Sequence, residues 1–223
     1  MPGINQLGKY IVLEGGDGCG KDTQLPLIVE RIEALGDTVR TIREPYDSVT
    51  FGEMIRDMLF AQNGQPNFAK LPPDEQARFM NLARAEIVPM IAQAISLGEH
   101  VVVSRNWLST MAYQGHEKGL SLDELDALRM LCEDAACEIR PDMVILLDLP
   151  VTEALSRQGD KRKDVHETMP IEFHQRVRQG YISELSLLTL RNFSTAGSCV
   201  IDVSGRSIDE VTDLIWDKIS RIL

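Results

Sequence analysis

A glycine-rich stretch between an apolar run and a helical segment is the feature that most restricts the fold of this chain. The run from Tyr10 to Leu13 has the length and composition of a buried strand, and it leads into Gly15 to Gly20, of sequence GGDGCG, and Lys21. Glycines allow a tight turn that brings backbone N–H groups close to a ligand, since they have no Cβ. A helix that begins near Asp22 would direct its unpaired N–H groups and the positive end of its dipole at this loop. The pattern therefore predicts a cradle for a polyphosphate group, with a merely structural glycine turn as the alternative.

Strand-like and helix-like segments alternate along the rest of the chain. Predicted strands lie at 10–13, 38–42, 100–103, 143–149 and 198–203, and predicted helices at 22–35, 52–60, 72–97, 121–138, 171–190 and 207–223. Two capping boxes, Ser121 with Glu124 and Ser207 with Glu210, support two of the helix starts. Such alternation is typical of a parallel sheet with helices on both faces. Because no repeat or linker divides the 223 residues, we expect one α/β domain.

The composition limits the partners that this chain is expected to have. Its formal net charge is −11, which argues against nonspecific nucleic-acid binding as its main role. No apolar run approaches the roughly 20 residues of a membrane span, and no signal peptide is recognisable. The spacing of the four cysteines, which are Cys19, Cys132, Cys137 and Cys199, fits neither a metal site nor a disulfide framework. We therefore expect a cytoplasmic protein without membrane or nucleic-acid partners.

The residues that follow each predicted strand are the candidates for a functional site. In open parallel sheets, ligands bind outside the carboxyl ends of the strands. The segments at those positions are Glu14 to Lys21, Arg43-Glu44-Pro45, Ser104-Arg105, Asp148 to Pro150 and Ser204-Gly205-Arg206. Since the chain as a whole is acidic, any nucleotide chemistry at this edge would depend on the local basic groups.

Taken together, these segments resemble those of thymidylate kinases, which are P-loop nucleoside monophosphate kinases. The motifs that carry the resemblance are GGDGCGKDTQ (15–24), REP (43–45), FGEMIR (51–56), LSTMAYQG (108–115) and the segment 157–178. The resemblance covers nearly the whole chain, from about residue 10 onward. It implies a P-loop NTPase fold, which is a three-layer αβα arrangement with a five-stranded parallel sheet. It further implies a single kinase domain over 1–223 with a small lid at about 157–168.

The resemblance also implies an activity. The protein would transfer the γ-phosphoryl group of ATP to deoxythymidine 5′-monophosphate (dTMP) with the help of Mg²⁺, giving dTDP. It would act as a homodimer on small-molecule nucleotides. The sequence alone leaves two alternatives open. One is a kinase for another or a modified pyrimidine deoxynucleoside monophosphate, and the other is a catalytically weakened nucleotide-binding module.

Roles for individual residues follow from the same resemblance. The catalytic cations around the transferred group would be Lys21, Arg105, Arg157 and Arg162. The ATP-binding residues would be Gly15, Gly16, Asp17, Gly18, Cys19, Gly20, Lys21, Asp22, Thr23 and Arg206. The residues that bind the acceptor would be Asp17, Glu44, Pro45, Arg56, Met80, Arg84, Arg105, Thr110, Tyr113 and Gln114.

Within the acceptor set, the implied contacts are specific. Asp17 would bind the sugar 3′-hydroxyl, and Tyr113 would lie against the deoxyribose. Thr110 and Gln114 would face the pyrimidine edge, although helix capping is an alternative role for Thr110. Arg56 would bind the acceptor phosphate, with an exposed helix charge as the alternative.

A basic segment lies where the resemblance places the lid. Arg157, Lys161, Arg162 and Lys163 bring four positive charges into seven residues. The segment is either a solvated basic loop or a closing lid that neutralises transition-state charge and excludes water. The glycine loop contains no Arg, and the resemblance is to family members that carry the catalytic Arg in the lid.

Four positions depart from the family pattern. Asp22 stands where the hydroxyl that ligates Mg²⁺ is usual, and Ser104 stands where the family has an Asp. Asp164-Val165 lacks the Arg that commonly follows the lid Asp. Met80 stands where the family has an aromatic residue that stacks on the base, and a flexible Met could also cover a pyrimidine. An alternative of equal weight is that Met80 and Phe79 are simply core residues.

Two of these departures suggest a compensation. Both position 22 and position 104 are expected to border the Mg²⁺, a cation that accepts one or two carboxylates together with phosphate oxygens. We hypothesise that Asp22 acts as a Mg²⁺ ligand and restores the negative charge that Ser104 does not supply. The competing hypothesis is that both metal contacts are damaged and turnover is weak.

Overall fold

The computed structural model describes residues 7–61, 67–136, 139–157, 164–190 and 197–223 of the chain. The strands in these ranges are β1 (Tyr10–Glu14), β2 (Val39–Arg43), β3 (His100–Ser104), β4 (Met143–Asp148) and β5 (Gly197–Asp202). The α-helices are α1 (Lys21–Glu33), α2 (Thr50–Leu59), α3 (Pro73–Ser96), α4 (Trp107–Thr110), α5 (Leu122–Ala135), α6 (Val151–Arg157), α7 (Ile171–Leu190) and α8 (Ile208–Ile219). A 3₁₀ turn spans Phe68–Lys70, and a π-helical segment, Met111–His116, continues α4.

The strands form one sheet in the order β2-β3-β1-β4-β5, and every pairing is parallel. The prediction of a five-stranded parallel sheet with helices around it is therefore confirmed. β1 lies at the centre, and the chain first builds the sheet on its β3 side and later crosses to its β4 side. A ligand crevice is expected at such a reversal, outside the carboxyl ends of the strands.

Alternate residues of the central strand enter two different cores. Tyr10 and Val12 face one cluster, which contains residues of α3, α5, α7 and the π-helical segment. Ile11 and Leu13 face the other cluster, which contains residues of α1 and α8. Because successive side chains of a strand point to opposite faces, burial on both faces requires the continuous apolar run that the sequence shows.

A third, smaller cluster attaches α2 to α3. Ile55 and Leu59 of α2 pack with Phe68 and Ala83, and Met80 lies against them. This cluster holds α2 beside the carboxyl end of the sheet, where its polar side chains can reach the crevice.

Several predicted boundaries and caps can be compared directly with the structure. Both capping boxes are present, Ser121 with Glu124 and Ser207 with Glu210. Helix α6 was not predicted, since its seven residues are too few to show a clear period. Arg157, expected at the start of the lid, is the last residue of α6. Arg162, together with Lys161 and Lys163, lies outside the described residues.

Among the described residues, none of the helices has both the length and the apolar character required to cross a bilayer.

Candidate active site

A cavity of about 800 Å³ opens at the carboxyl ends of the strands. The predicted site residues in its lining are Asp17, Gly18, Cys19, Gly20, Lys21, Asp22, Thr23, Glu44, Pro45, Arg56, Met80, Arg105, Tyr113, Gln114, Arg157 and Arg206. Of the other predicted residues that the structure describes, Gly15, Gly16, Arg84 and Thr110 are not part of this lining. The structure thus brings most of the predicted set to one place, and the role of each residue stays a prediction.

The cavity extends across both faces of the sheet. Ile208 and Val211 of α8 line one side, and Met80 of α3 lines the other. Since α8 belongs to one core and α3 to the other, these walls lie on opposite faces of the sheet. We call them the α8 side and the α3 side, and the glycine loop lies between them.

The glycine loop owes its path to residues without a side chain. Gly18 has φ +81°, and a Cβ built on it would lie 2.4 Å from the carbonyl oxygen of Ala154. Gly15 has φ +141°, and its Cβ would lie 2.5 Å from the carbonyl oxygen of Leu147. Both the positive φ and the close backbone approach require glycine. The loop is therefore clamped between α6 and the end of β4.

Lys21 is the first residue of α1, and its ammonium group turns back over the loop. Its Nζ donates to the carbonyl oxygens of Gly15 at 2.6 Å and Gly16 at 2.8 Å, and it lies 3.5 Å from the Sγ of Cys19. The side chain is buried, yet it borders the cavity. A positive charge is thereby held beside the amino end of a helix, where an anion is favoured.

Arg105 joins the loop to the α4 region. It follows β3 directly with φ +70°, a conformation that non-glycine residues adopt rarely. Its guanidinium donates to the carboxylate of Asp17 and to the hydroxyl of Tyr181 at 2.9 Å. The hydroxyl of Tyr113 donates to the second oxygen of Asp17 at 2.8 Å.

This arrangement determines the charge state of Asp17. Burial opposes ionisation of its carboxyl, but the nearby charges of Arg105 and Lys21 outweigh that effect and lower its pKa to about 2. Asp17 is therefore an acceptor of hydrogen bonds throughout the neutral range, and it could receive one from a ligand hydroxyl.

Glu14 is a buried carboxyl to which the sequence analysis assigned no role. It accepts hydrogen bonds from the backbone N–H of Asn106 at 2.7 Å and from the hydroxyl of Ser109 at 2.7 Å. Burial raises its pKa to about 7, although these hydrogen bonds act in the opposite direction. The residue ties the end of β1 to the start of α4. An acidic residue at the end of an apolar strand was the sequence signal from which a buried, hydrogen-bonded role for Glu14 could have been predicted.

Beneath the α3 side, Arg84 is held by an ion pair. Its Nη2 lies 2.7 Å from an oxygen of Glu44 and 3.1 Å from the hydroxyl of Thr110. Arg84 is only 2% exposed, whereas Glu44 borders the cavity. Arg84 and Thr110 thus form the floor under Glu44 rather than the lining. The acceptor-binding role of Arg84 and the base contact of Thr110 stay predictions.

Arg56 and Met80 complete the wall on the α3 side. The Nε of Arg56 donates to the carbonyl oxygen of Pro45 at 2.7 Å, and its carboxylate neighbour Asp47 is 3.9 Å away. This leaves the half-buried guanidinium of Arg56 beside the cavity. Met80 both lines the cavity and packs against the core cluster of α2 and α3. Both proposed roles of Met80, as a core residue and as a ligand contact, are compatible with that position.

Asp22 and Ser104 both border the cavity, as the compensation hypothesis requires. Asp22 is exposed and pairs with Arg43, whose Nη2 is 3.0 Å from its Oδ1. Arg43 is also the sheet neighbour of Ser104, whose buried Oγ has no hydrogen-bond partner in the described part of the chain. Arg43 was among the post-strand candidates, but its pairing with Asp22 was not predicted.

Three residues within the predicted lid segment also line the cavity, although no individual site role was predicted for them. They are Asp164, His166 and Glu167. Burial, assisted by the charge of Asp17, raises the pKa of Asp164 to about 6. Burial likewise lowers the pKa of His166 to about 4, and its ring lies 5.4 Å from that of Tyr113. His166 is therefore a neutral aromatic neighbour of the site at physiological pH.

Arg157 and Arg206 line the α8 side of the cavity. Arg157 pairs with Glu153 at 2.6 Å and donates to the carbonyl oxygen of Val203 at 3.2 Å. The Nε of Arg206 donates to the carbonyl oxygen of Asp202 at 2.8 Å. Both cations are anchored at the end of β5 and can face a negatively charged ligand.

The described residues contain no group of three or more His, Cys, Asp or Glu side chains that could hold a metal ion by themselves. A divalent cation at this site would therefore need ligand oxygens from a bound phosphate in addition to protein. Mg²⁺ is commonly bound in that way, through one or two carboxylates and substrate phosphates.

The similarity of this chain to known proteins extends over most of its length. Residues 13–215 match the family described as "Thymidylate kinase". A thymidylate kinase of Geobacter sp. is 32% identical over 212 residues, which cover 92% of this chain and 91% of the relative. One of Pelotomaculum thermopropionicum is 36% identical over 180 residues, or 79% of each chain. One of Syntrophotalea carbinolica is 32% identical over 222 residues, or 96% of each chain.

Proposed function

The chain belongs to the thymidylate kinase family, and we propose that it transfers the γ-phosphoryl group of ATP to dTMP to form dTDP. The observation that carries this proposal is the shared cavity. One continuous space contains the glycine loop with Lys21, the wall formed by Arg56 and Gln114, and Arg105 between them. Transfer between two nucleotides requires such a space, since donor and acceptor phosphates must meet in line.

ATP is assigned to the glycine loop and the α8 side. The loop N–H groups and the amino end of α1 favour a polyphosphate, and Lys21 supplies a positive charge beside them. To contact a phosphate, the ammonium of Lys21 would exchange its bonds to the Gly15 and Gly16 carbonyls for phosphate oxygens. Arg157 and Arg206 would face the nucleotide on the α8 side.

dTMP is assigned to the α3 side. Arg56 can bind its phosphate with a planar fork that suits phosphate oxygens. Asp17, kept ionised by Arg105 and Lys21, can accept a hydrogen bond from the sugar 3′-hydroxyl. The ring of Tyr113, anchored through its hydroxyl to Asp17, would lie against the deoxyribose.

Arg105 is placed to act on both nucleotides. It contacts the loop at the carbonyl oxygen of Gly15, 3.5 Å away, and it contacts Asp17 on the acceptor side. The transferred group passes through a transition state whose charge is spread over its oxygens, so a preorganised cation between the two phosphates lowers the barrier.

Asp22 and Ser104 fit a site for Mg²⁺. The carboxylate of Asp22 is a suitable oxygen donor, and Ser104, whose Oγ is unpaired in the described residues, lines the same cavity. A bound Mg²⁺ would neutralise phosphate charge and orient the phosphoryl oxygens. Arg43 would have to release Asp22 for this, since the two are now paired at 3.0 Å.

The compensation between positions 22 and 104 is tested by a double variant. We expect Asp22→Ser to raise the Mg²⁺ concentration needed for half-maximal activity by about tenfold, because a carboxylate ligand is lost. The double variant Asp22→Ser/Ser104→Asp should return it to within about threefold of the parent. Titration of MgCl₂ at fixed ATP and dTMP measures both values. If the second change restores nothing, the two positions do not exchange the same carboxylate.

A panel of acceptors tests the proposed function itself. We expect kcat/KM for dTMP to exceed the values for dUMP, dCMP and dAMP when each is offered with ATP and Mg²⁺, since discrimination resides in that ratio. Turnover of another monophosphate in preference to dTMP would indicate a different acceptor. Binding of ATP without turnover of any monophosphate would indicate a nucleotide-binding module.

We further propose that the protein works as a cytoplasmic homodimer without a nucleic-acid partner. Helices α3 and α5 pack against each other and expose apolar side chains, among them Leu82 and Met130. Exposed apolar residues on two neighbouring helices suit an interface between copies. The net charge of −11 opposes association with nucleic acid.

A further inference from the structure

Two buried glutamines form a chain of hydrogen bonds on the α3 side of the site. Gln76 lies in the first turns of α3, and its Nε2 donates to the carbonyl oxygen of Leu71 at 2.8 Å. Gln114 lies in the π-helical segment, and its Nε2 donates to the Oε1 of Gln76 at 3.2 Å. The two residues are 0% and 1% exposed, and Gln114 lines the cavity.

The direction of these two hydrogen bonds is set by the backbone carbonyl of Leu71. A carbonyl oxygen can only accept a hydrogen bond, so the side chain of Gln76 must turn its nitrogen toward Leu71 and its oxygen toward Gln114. The side-chain oxygen of Gln76 needs a donor, and in the amide of Gln114 only the nitrogen can donate. The oxygen of Gln114 is thereby left over, and within the described residues it has no hydrogen-bond partner.

The Leu71 carbonyl is itself well anchored. Leu71 is followed by Pro72 and Pro73, and it has the extended backbone (φ −67°, ψ 149°) that a residue before proline favours. Pro73 begins α3, where a fixed φ is suited to the first helical position. We call the two hydrogen bonds that link Leu71, Gln76 and Gln114 the relay. The relay is thus oriented by the rigid start of α3.

We propose that Gln76 is a positioning residue that keeps the Gln114 oxygen turned toward the base and so selects thymine over cytosine. The inference rests on the proposed function. At the pyrimidine N3 position, thymine carries an N–H donor, whereas cytosine presents an unprotonated acceptor. A fixed carbonyl oxygen pairs with the first and repels the second. A site rejects a ligand of similar shape when that ligand leaves a buried polar group of the site unpaired, because this costs binding free energy.

The test compares two substitutions at position 76. Gln76→Leu removes the relay at similar volume, so the amide of Gln114 becomes free to turn either way. Gln76→Glu keeps the pattern when the buried carboxyl is protonated, since its O–H can donate to the Leu71 carbonyl while its other oxygen still accepts from Gln114. The orientation of Gln114 is then retained. We expect the ratio of kcat/KM for dTMP to that for dCMP to fall at least tenfold in Gln76→Leu and to stay within about threefold of the parent in Gln76→Glu.

Binding and folding measurements separate positioning from mere structural support. Dissociation constants of dTMP and dCMP, measured calorimetrically for each variant, should show the same change in ratio, while the KM for ATP stays unchanged. If Gln76→Leu does not fold by circular dichroism, Gln76→Met supplies a second apolar variant with the same expected result. An equal loss for dTMP and dCMP, or an equal fall of the ratio in the Leu and Glu variants, overturns the proposal.

Failure of the proposed function would look different. In that case the unaltered protein would phosphorylate neither dTMP nor dCMP, or it would turn over another monophosphate in preference to dTMP. If the unaltered protein phosphorylates dTMP and the ratio is unaffected by Gln76→Leu, only the positioning role is wrong.

Discussion

Replacing Lys21 with Ala should lower kcat/KM for dTMP phosphorylation by about a thousandfold, the largest effect expected of any single substitution in this protein. Loss of one preorganised donor at a developing charge typically costs about 10²–10³ in rate, and loss of a phosphoryl-transfer cation costs about 10³–10⁵. The buried ammonium of Lys21 lies beside the glycine loop at the amino end of α1, where it can exchange its bonds to two loop carbonyls for phosphate oxygens. Steady-state kinetics with saturating Mg²⁺ measures the change.

The control is Lys218→Ala, which removes an exposed Lys on α8 that pairs only with its neighbour Asp217 in the described residues. It should leave kcat/KM unchanged, since exposed ion pairs contribute little. Circular dichroism should show both variants folded. A loss of less than tenfold in a folded Lys21→Ala protein would contradict the assignment of ATP to the glycine loop.

Replacing Arg105 should produce the second largest effect. We expect Arg105→Ala to lower kcat about 10²- to 10³-fold, because the preorganised cation between donor and acceptor is lost. Arg105→Lys should not restore it. A single ammonium cannot reproduce the planar fork that reaches Asp17, Tyr181 and the loop together.

A change in pH dependence should accompany the loss. The charge of Arg105 is the main cause that lowers the pKa of Asp17, whereas burial raises it. Without Arg105, the pKa of Asp17 rises, so a protonated, non-accepting carboxyl persists to higher pH. The acid limb of the kcat/KM profile for dTMP should therefore move upward in pH for Arg105→Ala.

Arg105→Gly is the matched variant for this experiment. It removes the same side chain but tolerates the positive φ of this position, which a Cβ disfavours. Equal kinetics for Arg105→Gly and Arg105→Ala would attribute the loss to the guanidinium. Recovery of activity in Arg105→Gly alone would instead attribute it to backbone strain and contradict the catalytic role.

The fold could be predicted well because its determinants are local in sequence. The apolar run of Tyr10 to Leu13 and the glycines after it specify a strand and a turn within a dozen residues. Two capping boxes specify helix starts within four residues each. Short elements escaped prediction for the same reason, since α6 has too few residues to display a period.

The candidate site was predictable in part. Post-strand position and motif identified Lys21, Arg56, Arg105 and Gln114, and the structure places all four at the cavity. Glu14 was among the post-strand candidates, but no role was predicted for it, because its partners Asn106 and Ser109 lie more than 90 residues away in sequence. Residue types alone do not show which distant groups a buried carboxyl will meet.

The sequence by itself determined the parallel sheet and the strand–glycine loop–helix pattern, since both depend on nearby residues, and its motifs carried the resemblance to the family. Only the tertiary structure decided that Arg84 lies under Glu44, that Asp22 pairs with Arg43, and that Gln76 orients Gln114. Those pairings join residues from different elements. Their geometry follows from how the helices pack on the sheet, because a buried polar group must find its partner wherever packing brings one within about 3 Å.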